Sequence, residues 1–341
     1  MSLSQTIVGI DIAKSVFQIH EVDKETGEVT SRQIKRARLL QHFINREPCF
    51  IGMEACGGAQ HWARQFVAMG HTVKLLPAQS VRPFAGGNKN DVADARAIWI
   101  AVQQPGIKAV AIKTEAQQAV LALHRMRQQL VKFRTAQINA LRGLLAEYGE
   151  VMPLGRDAVA KALPSVFARL VDRLPGVLIE SLREQYTRIA QLDKEVSNIE
   201  RRLREWHRDD ESCRRITAIP GVGLLTATAT VAAMGDPGAF SSGREFAAWL
   251  GLVPRQTGTG GRVKLLGISK RGDRYLRTLL IHGARSVLMT SKTPPAWAAN
   301  LATRRPLNVA VVALANKMAR TLWALLAHQR VFQPEYVSRP A

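Results

Sequence analysis

The rhythm of hydrophobic and polar positions changes twice along the chain, which predicts three segments: 1–112, 113–207 and 208–341. In the first, TIVGIDIA (6–13) and CFIGMEA (49–55) are short apolar runs, each holding one carboxylate, and read as buried strands. SVFQIHEVD and EVTSRQIKRA alternate with the period of two of a half-buried strand, and Glu25-Thr26-Gly27 between them predicts a hairpin. A short amphipathic helix is expected over Leu39–Asn45, a second over AQHWARQFVAMG up to Gly70, then a strand in HTVKLLPA ended by Pro77. After the loop SVRPFAGGNKN comes the helix DVADARAIWIAVQQ. A three-strand meander followed by alternating helix and strand describes an α/β mixed sheet flanked by helices.

The middle segment is helical. Leu123, Met126, Leu130, Phe133, Gln137, Leu141 and Leu144 fall near a 3,4 spacing. Ile189, Leu192, Val196, Ile199, Leu203 and Trp206 keep that spacing strictly, with charges between them. Such a seam suits a coiled-coil arm or dimer contact, or equally two amphipathic helices packed on a domain. Pro153, Pro164 and Pro175 predict a connector of short helices between the two stretches. The last segment is mostly α: IPGVG (219–223) makes a tight turn between helices, and a Gly-rich basic loop, RQTGTGGRVKLLGISKRGD, precedes two further helices.

Charge narrows the function. Forty-eight Lys plus Arg face 27 Asp plus Glu, a net charge of +21, while 46% hydrophobic residues exclude a disordered chain. The cations recur along the whole length, unlike the single basic amphipathic helix of a membrane-surface protein, and point to a polyanionic partner. Cys49, Cys56 and Cys213 contain no CxxC pair, and the eight histidines form no HExxH motif, so neither a disulfide frame nor a zinc site is expected. LNVAVVALANKMARTLWALLA carries Asn316, Lys317 and Arg320, which favours a packed helix over a membrane span. MSLSQTIVGID lacks the basic start of a secretory leader. Together these predict a cytoplasmic protein with no membrane partner.

Asp11 lies mid-strand between Ile10 and Ile12, where an unpaired charge is expensive to bury unless it holds a cation. Glu54 ends a second apolar strand that pairing can bring beside the first. Asp91 and Asp94 share one face of a helix's first turn, a place where ordinary capping is the bland alternative. Four converging carboxylates are hard oxygen ligands that select Mg2+ or Mn2+, and two such ions serve in-line phosphodiester displacement.

GIDIAK, GMEA and KNDVADA, with Asp11, Glu54, Asp91 and Asp94, resemble the DEDD transposase family of insertion sequences. That family includes Piv-type DNA invertases, and its N-terminal domain is similar to the RuvC Holliday-junction resolvase. LVPRQTGTGGRVKLLGISKRGDRYLRTLL also resembles the family's C-terminal transposase domain. The resemblance implies an RNase H-like (RuvC-like) fold for 1–112 and a DNA recombinase that uses the four carboxylates. It also implies a serine, followed by glycine, that attacks DNA and becomes covalently linked to it. Here the matching position is Thr259, followed by Gly260; its hydroxyl is secondary and more crowded, and Ser269 is the other hydroxyl nearby.

The resemblance further implies a structured noncoding guide RNA beside DNA as partner. It implies assembly as a dimer or tetramer too, one protomer's carboxylate domain meeting another's C-terminal loop. Expected nucleic-acid contacts are Gly221 and Gly223 in a helix-hairpin-helix-like turn, and Arg255, Gly260, Gly261, Arg262, Lys264, Lys270, Arg271 and Arg274 around the basic loop. Two other readings remain: a structure-selective junction nuclease, and a non-catalytic packaging protein that leaves Asp11 unexplained.

Overall fold

The structure is a computed structural model that describes residues 6–23, 25–86 and 90–334. The leader reading for residues 1–5 and the middle of the GGNKN loop lie outside the described residues. Contacts divide the chain into two compact units, Met1–Thr114 with Met234–Ser241, and Glu115–Ala233 with Ser242–Ala341. The middle helices thus share a unit with the C-terminal ones.

The first unit holds β1 (Ile7–Ile12), β2 (Val16–Val22), β3 (Val29–Lys35), α1 (Leu39–Ile44), β4 (Phe50–Glu54), α2 (Ala59–Ala68), β5 (Thr72–Leu76), α3 (Ala78–Val81) and α4 (Asp91–Val102). The sheet order is β3-β2-β1-β4-β5. β1, β2 and β3 pair antiparallel, and β1, β4 and β5 run parallel. This mixed sheet is consistent with the RNase H-like architecture that the resemblance implies.

Alternation sends Val8, Ile10, Phe17, Ile19, Ile51 and Met53 to one face, where they pack with Phe43 of α1 and Trp62 and Phe66 of α2. The opposite face takes Ile7 and Phe50 against Ala97, Ile98 and Val102 of α4. Glycines set how near α4 comes: a Cβ on Gly9 would lie 2.5 Å from Ala95 O, and one on Gly52 2.8 Å from Val102 Cβ. Any side chain there would push α4 off the sheet.

The second unit holds α5 (Glu115–Glu147), α6 (Arg156–Leu170), α7 (Gly176–Asp209), α8 (Glu211–Thr217), α9 (Leu224–Met234), α10 (Gly243–Trp249), β6 (Pro254–Thr259), β7 (Arg262–Ile268), α11 (Arg274–Thr290), α12 (Ala296–Arg304) and α13 (Leu307–Ala327). α5 and α7 pack antiparallel, tied by Arg127–Glu200, Arg134–Asp193 and Gln137–Gln185. Ile189, Val196, Ile199 and Leu203 of the 3,4 seam are buried within the chain, Ile199 and Leu203 with Val120 and Leu123 of α5.

Two expectations are corrected here. The connector is not broken at Pro164, because α6 runs through it as one helix. Its Val159, Leu163, Val166 and Phe167 are buried against α5 and α7, and that burial outweighs the lost backbone hydrogen bond. The Gly-rich basic loop is largely an antiparallel hairpin, β6–β7. Gly260 and Gly261, with φ of 56° and 78°, supply the left-handed turn a two-residue hairpin needs. α13, the described helix long and apolar enough to cross a membrane, instead packs on α10, α11, α12 and α8 through Val311, Leu314, Met318 and Leu322.

Candidate functional site

Strand alternation puts Asp11 in phase with Ile7 and Gly9, so its side chain faces α4. Ile10 and Met53 are register partners on the parallel β1 and β4, and Asp11 and Glu54 are the next positions along each strand. α4 crosses the same face with Ala95 against Gly9, which brings Asp91 and Asp94 of its first turn to the same end of the sheet. The charges register the meeting. Burial pushes the Asp11 carboxyl up from 3.8 to about 6, and the negative charges of Asp94, Asp91 and Glu54 add to the rise. Cys56, just beyond β4, has its thiol pushed up by burial and then by Glu54 and Asp11, which disfavours the thiolate.

The capping alternative for the α4 aspartates weakens here. Asn90 is the cap residue, its side chain accepting from Ala93 N–H at 2.7 Å. The donor set is all carboxylate oxygen, as a hard divalent cation requires. Among the described residues, no three His, Cys, Asp or Glu side chains are already drawn around a single ligation point.

Two polar residues on this face escaped the sequence reading. Gln18 is the cross-strand partner of Asp11, and His20 that of Gly9; both are buried. Gln18 donates to Ser31 Oγ at 2.9 Å, while its Oε1 and His20 Nδ1 find no hydrogen-bond partner among the described residues. Burial, then Arg96, pushes the His20 imidazole down, which favours its neutral form. The available signal was that Gln-x-His sits in phase with Asp11 on a strand whose other face carries Phe17 and Ile19.

In the second unit the predicted residues separate into four places. Arg255, Gly260, Gly261, Arg262 and Lys264 belong to the exposed hairpin. Thr259 pairs with Arg262 and Thr257 with Lys264, so hydroxyls and cations share one face, while Val263 and Leu265 project on the other. Thr259 is exposed beside the turn, whereas Ser269 Oγ is buried without a partner among the described residues. Lys270 and Arg271 lie at the hairpin's root, which Arg277, absent from the sequence reading, clamps. Its Nη1 donates to Leu250 O and Arg271 O, both at 2.8 Å. Arg274 opens α11, away from the strands.

In the IPGVG turn, Gly221 (φ 83°) is required by packing, since a Cβ there would stand 2.7 Å from Gly283 O of α11. Gly223 is exposed at the start of α9 with open space beside it.

Comparison with known proteins bears on this geometry. Residues 213–300 match the family Transposase IS116/IS110/IS902, and residues 8–150 match the DEDD transposases of the IS110 type. The chain is 45% identical to a probable family 20 transposase of Pseudomonas aeruginosa, over 98% of this chain and 100% of the relative. It is 42% identical to the transposase for insertion sequence element IS1111A of Coxiella burnetii, over 96% of this chain and 91% of that one. With the transposase for insertion sequence element IS1328 of Yersinia enterocolitica it shares 40% identity over 96% and 98%.

Proposed function

The chain belongs to the IS116/IS110/IS902 transposase family and is a DNA transposase, and from that membership we propose that it cuts and exchanges strands at a divalent-metal site formed by Asp11, Glu54, Asp91 and Asp94. The observation carrying this reading is that Asp11 and Glu54 are neighbouring positions on the parallel β1 and β4 and that the first turn of α4 brings Asp91 and Asp94 to the same end of the sheet, where burial and the three other carboxylates hold the Asp11 carboxyl up. Four like charges on one sheet face are costly, and binding a functional cation is a physical reason to keep them. Mg2+ or Mn2+, as two ions, would supply Lewis-acid polarisation of the scissile phosphodiester. Asp11 and Glu54 hold their positions through the sheet, and Asp91 and Asp94 through a helix whose cap is Asn90.

Thr259 supplies the nucleophile. Its oxygen bonds to phosphorus as the bond from phosphorus to one sugar oxygen breaks, and the hydroxyl proton ends on that sugar oxygen. Its exposure beside Arg262 supports the role, while Ser269 Oγ is closed off. Arg255, Arg262, Lys264, Lys270 and Arg271 neutralise backbone phosphates, and the exposed Gly223 lets backbone approach one. A noncoding RNA supplies sequence choice by base pairing, which suits a chain of charge +21, and the active species is a cytoplasmic homodimer or homotetramer.

The test uses a plasmid bearing the joined element ends and a target, incubated with protein co-expressed with the element's flanking DNA. Wild type should yield Mg2+-dependent breaks and a protein–DNA adduct mapping to Thr259. Asp11→Asn should lose both, and Thr259→Ala the adduct. Breaks without an adduct would favour a junction nuclease, and breaks in EDTA would sink the metal reading.

A further inference from the structure

We propose that the groove between α5 and α11 is a second nucleic-acid site, a track for the phosphate backbone separate from the hairpin. It has a volume of about 1100 Å3, and of its eleven lining residues only Val131 and Ala136 are aliphatic and none is acidic.

Its cations are Arg127, Lys132 and Arg274, with His282 further along α11. Arg127 is tied to Glu200 at 2.7 Å. Lys132 and Arg274 are exposed and in no ion pair among the described residues, so they stand available for an anion. Gln128, Thr135 and Asn139 continue the lining along one face of α5, at the spacing of successive turns. From Gln128 to Asn139 that face covers about 16 Å of helix, at about 1.5 Å per residue. Measured along a duplex axis, this length corresponds to about five base pairs at roughly 3.4 Å each.

The wall is stiff. His124, buried on α5, bonds Tyr275 Oη at 3.0 Å and Thr228 Oγ1 at 2.9 Å, fixing α5 to α11 and α9. Burial pushes His124 down to about 4, so it stays neutral and does not add charge to the groove. Rigid walls and unpaired cations are what a backbone-reading surface needs, since phosphate contacts fix register without reading bases.

The inference rests on the chain's handling of DNA, and the test keeps the two apart. Affinity for a 30-base-pair duplex of the element's end and for single-stranded RNA of the same sequence is measured by fluorescence anisotropy across a salt series. Three proteins are compared: wild type, Lys132→Gln with Arg274→Gln, and a control, Lys161→Gln with Arg183→Gln, that removes the same charge from exposed positions elsewhere. The groove pair should lower the slope of log affinity against log salt by about 1.8 on duplex DNA, or about 1.4 on single-stranded RNA. Whichever probe responds identifies the occupant, and the control slope should hold. An unchanged slope on both probes, or an equal loss in the control, overturns the groove while leaving the carboxylate reading intact. Failure of wild type to bind either probe sinks both.

Discussion

Replacing Asp11 by asparagine should make the metal-free protein more stable at neutral pH while abolishing its chemistry. The carboxyl is displaced from 3.8 to about 6 by burial and by Asp94, Asp91 and Glu54. At about 1.4 kcal/mol per pH unit, that displacement sets a ceiling of about 3 kcal/mol. Asp11 is only half-buried, so solvent screening brings the expected gain to about 1–2 kcal/mol. The direction with pH follows from linkage. Below 3.8 the carboxyl is protonated in both folded and unfolded chains, and wild type and Asp11→Asn should be equally stable. As pH rises through about 6, the folded chain must ionise Asp11 beside three other carboxylates, a cost the unfolded chain escapes, and wild type falls behind. Thermal unfolding in EDTA from pH 4 to pH 8 reads this directly. A variant that is less stable than wild type at pH 8, or whose advantage does not shrink toward pH 4, refutes the convergence of the four carboxylates.

Gly9→Ala places a Cβ 2.5 Å from Ala95 O and should force α4 away from β1, costing about 1–3 kcal/mol in a denaturant titration and most strand cleavage. Ile199→Asp buries a charge on the seam between α5 and α7 and should cost more than about 3 kcal/mol, seen as a lowered helical melt by circular dichroism. A normal melt with only the oligomer mass reduced would mean that the seam serves assembly instead. Arg277→Met strips the donor from Leu250 O and Arg271 O and should cost about 2–4 kcal/mol, with faster proteolysis of the hairpin root as the readout. Normal melting and proteolysis would show that the clamp is dispensable.

What the sequence disclosed depended on whether a residue broke a local pattern. Asp11 stands out because a charge interrupts an apolar strand, and Asp91 and Asp94 because helical spacing aligns them. That Asn90 performs the capping, leaving both aspartates for other work, emerges only from the folded geometry. Gln18 and His20 were hidden because their strand alternates as a half-solvated strand would, yet α4 covers the polar side. The β6–β7 hairpin escaped because nearly all its residues are exposed, so no burial pattern marks it; Gly260-Gly261 was the one local signal. The 3,4 spacing of α7 announced a helical seam but could not name its partner, since a helix of the same chain and one of another copy present the same stripe.

Mn2+ titration followed by electron paramagnetic resonance reads whether Asp11, Glu54, Asp91 and Asp94 hold a divalent cation. Wild type should bind Mn2+ and release it to competing Mg2+. A variant with Asp11→Asn, Glu54→Gln, Asp91→Asn and Asp94→Asn should keep its fold and lose at least about tenfold in affinity. Equal Mn2+ binding by wild type and the fourfold variant would mean that these carboxylates hold no cation.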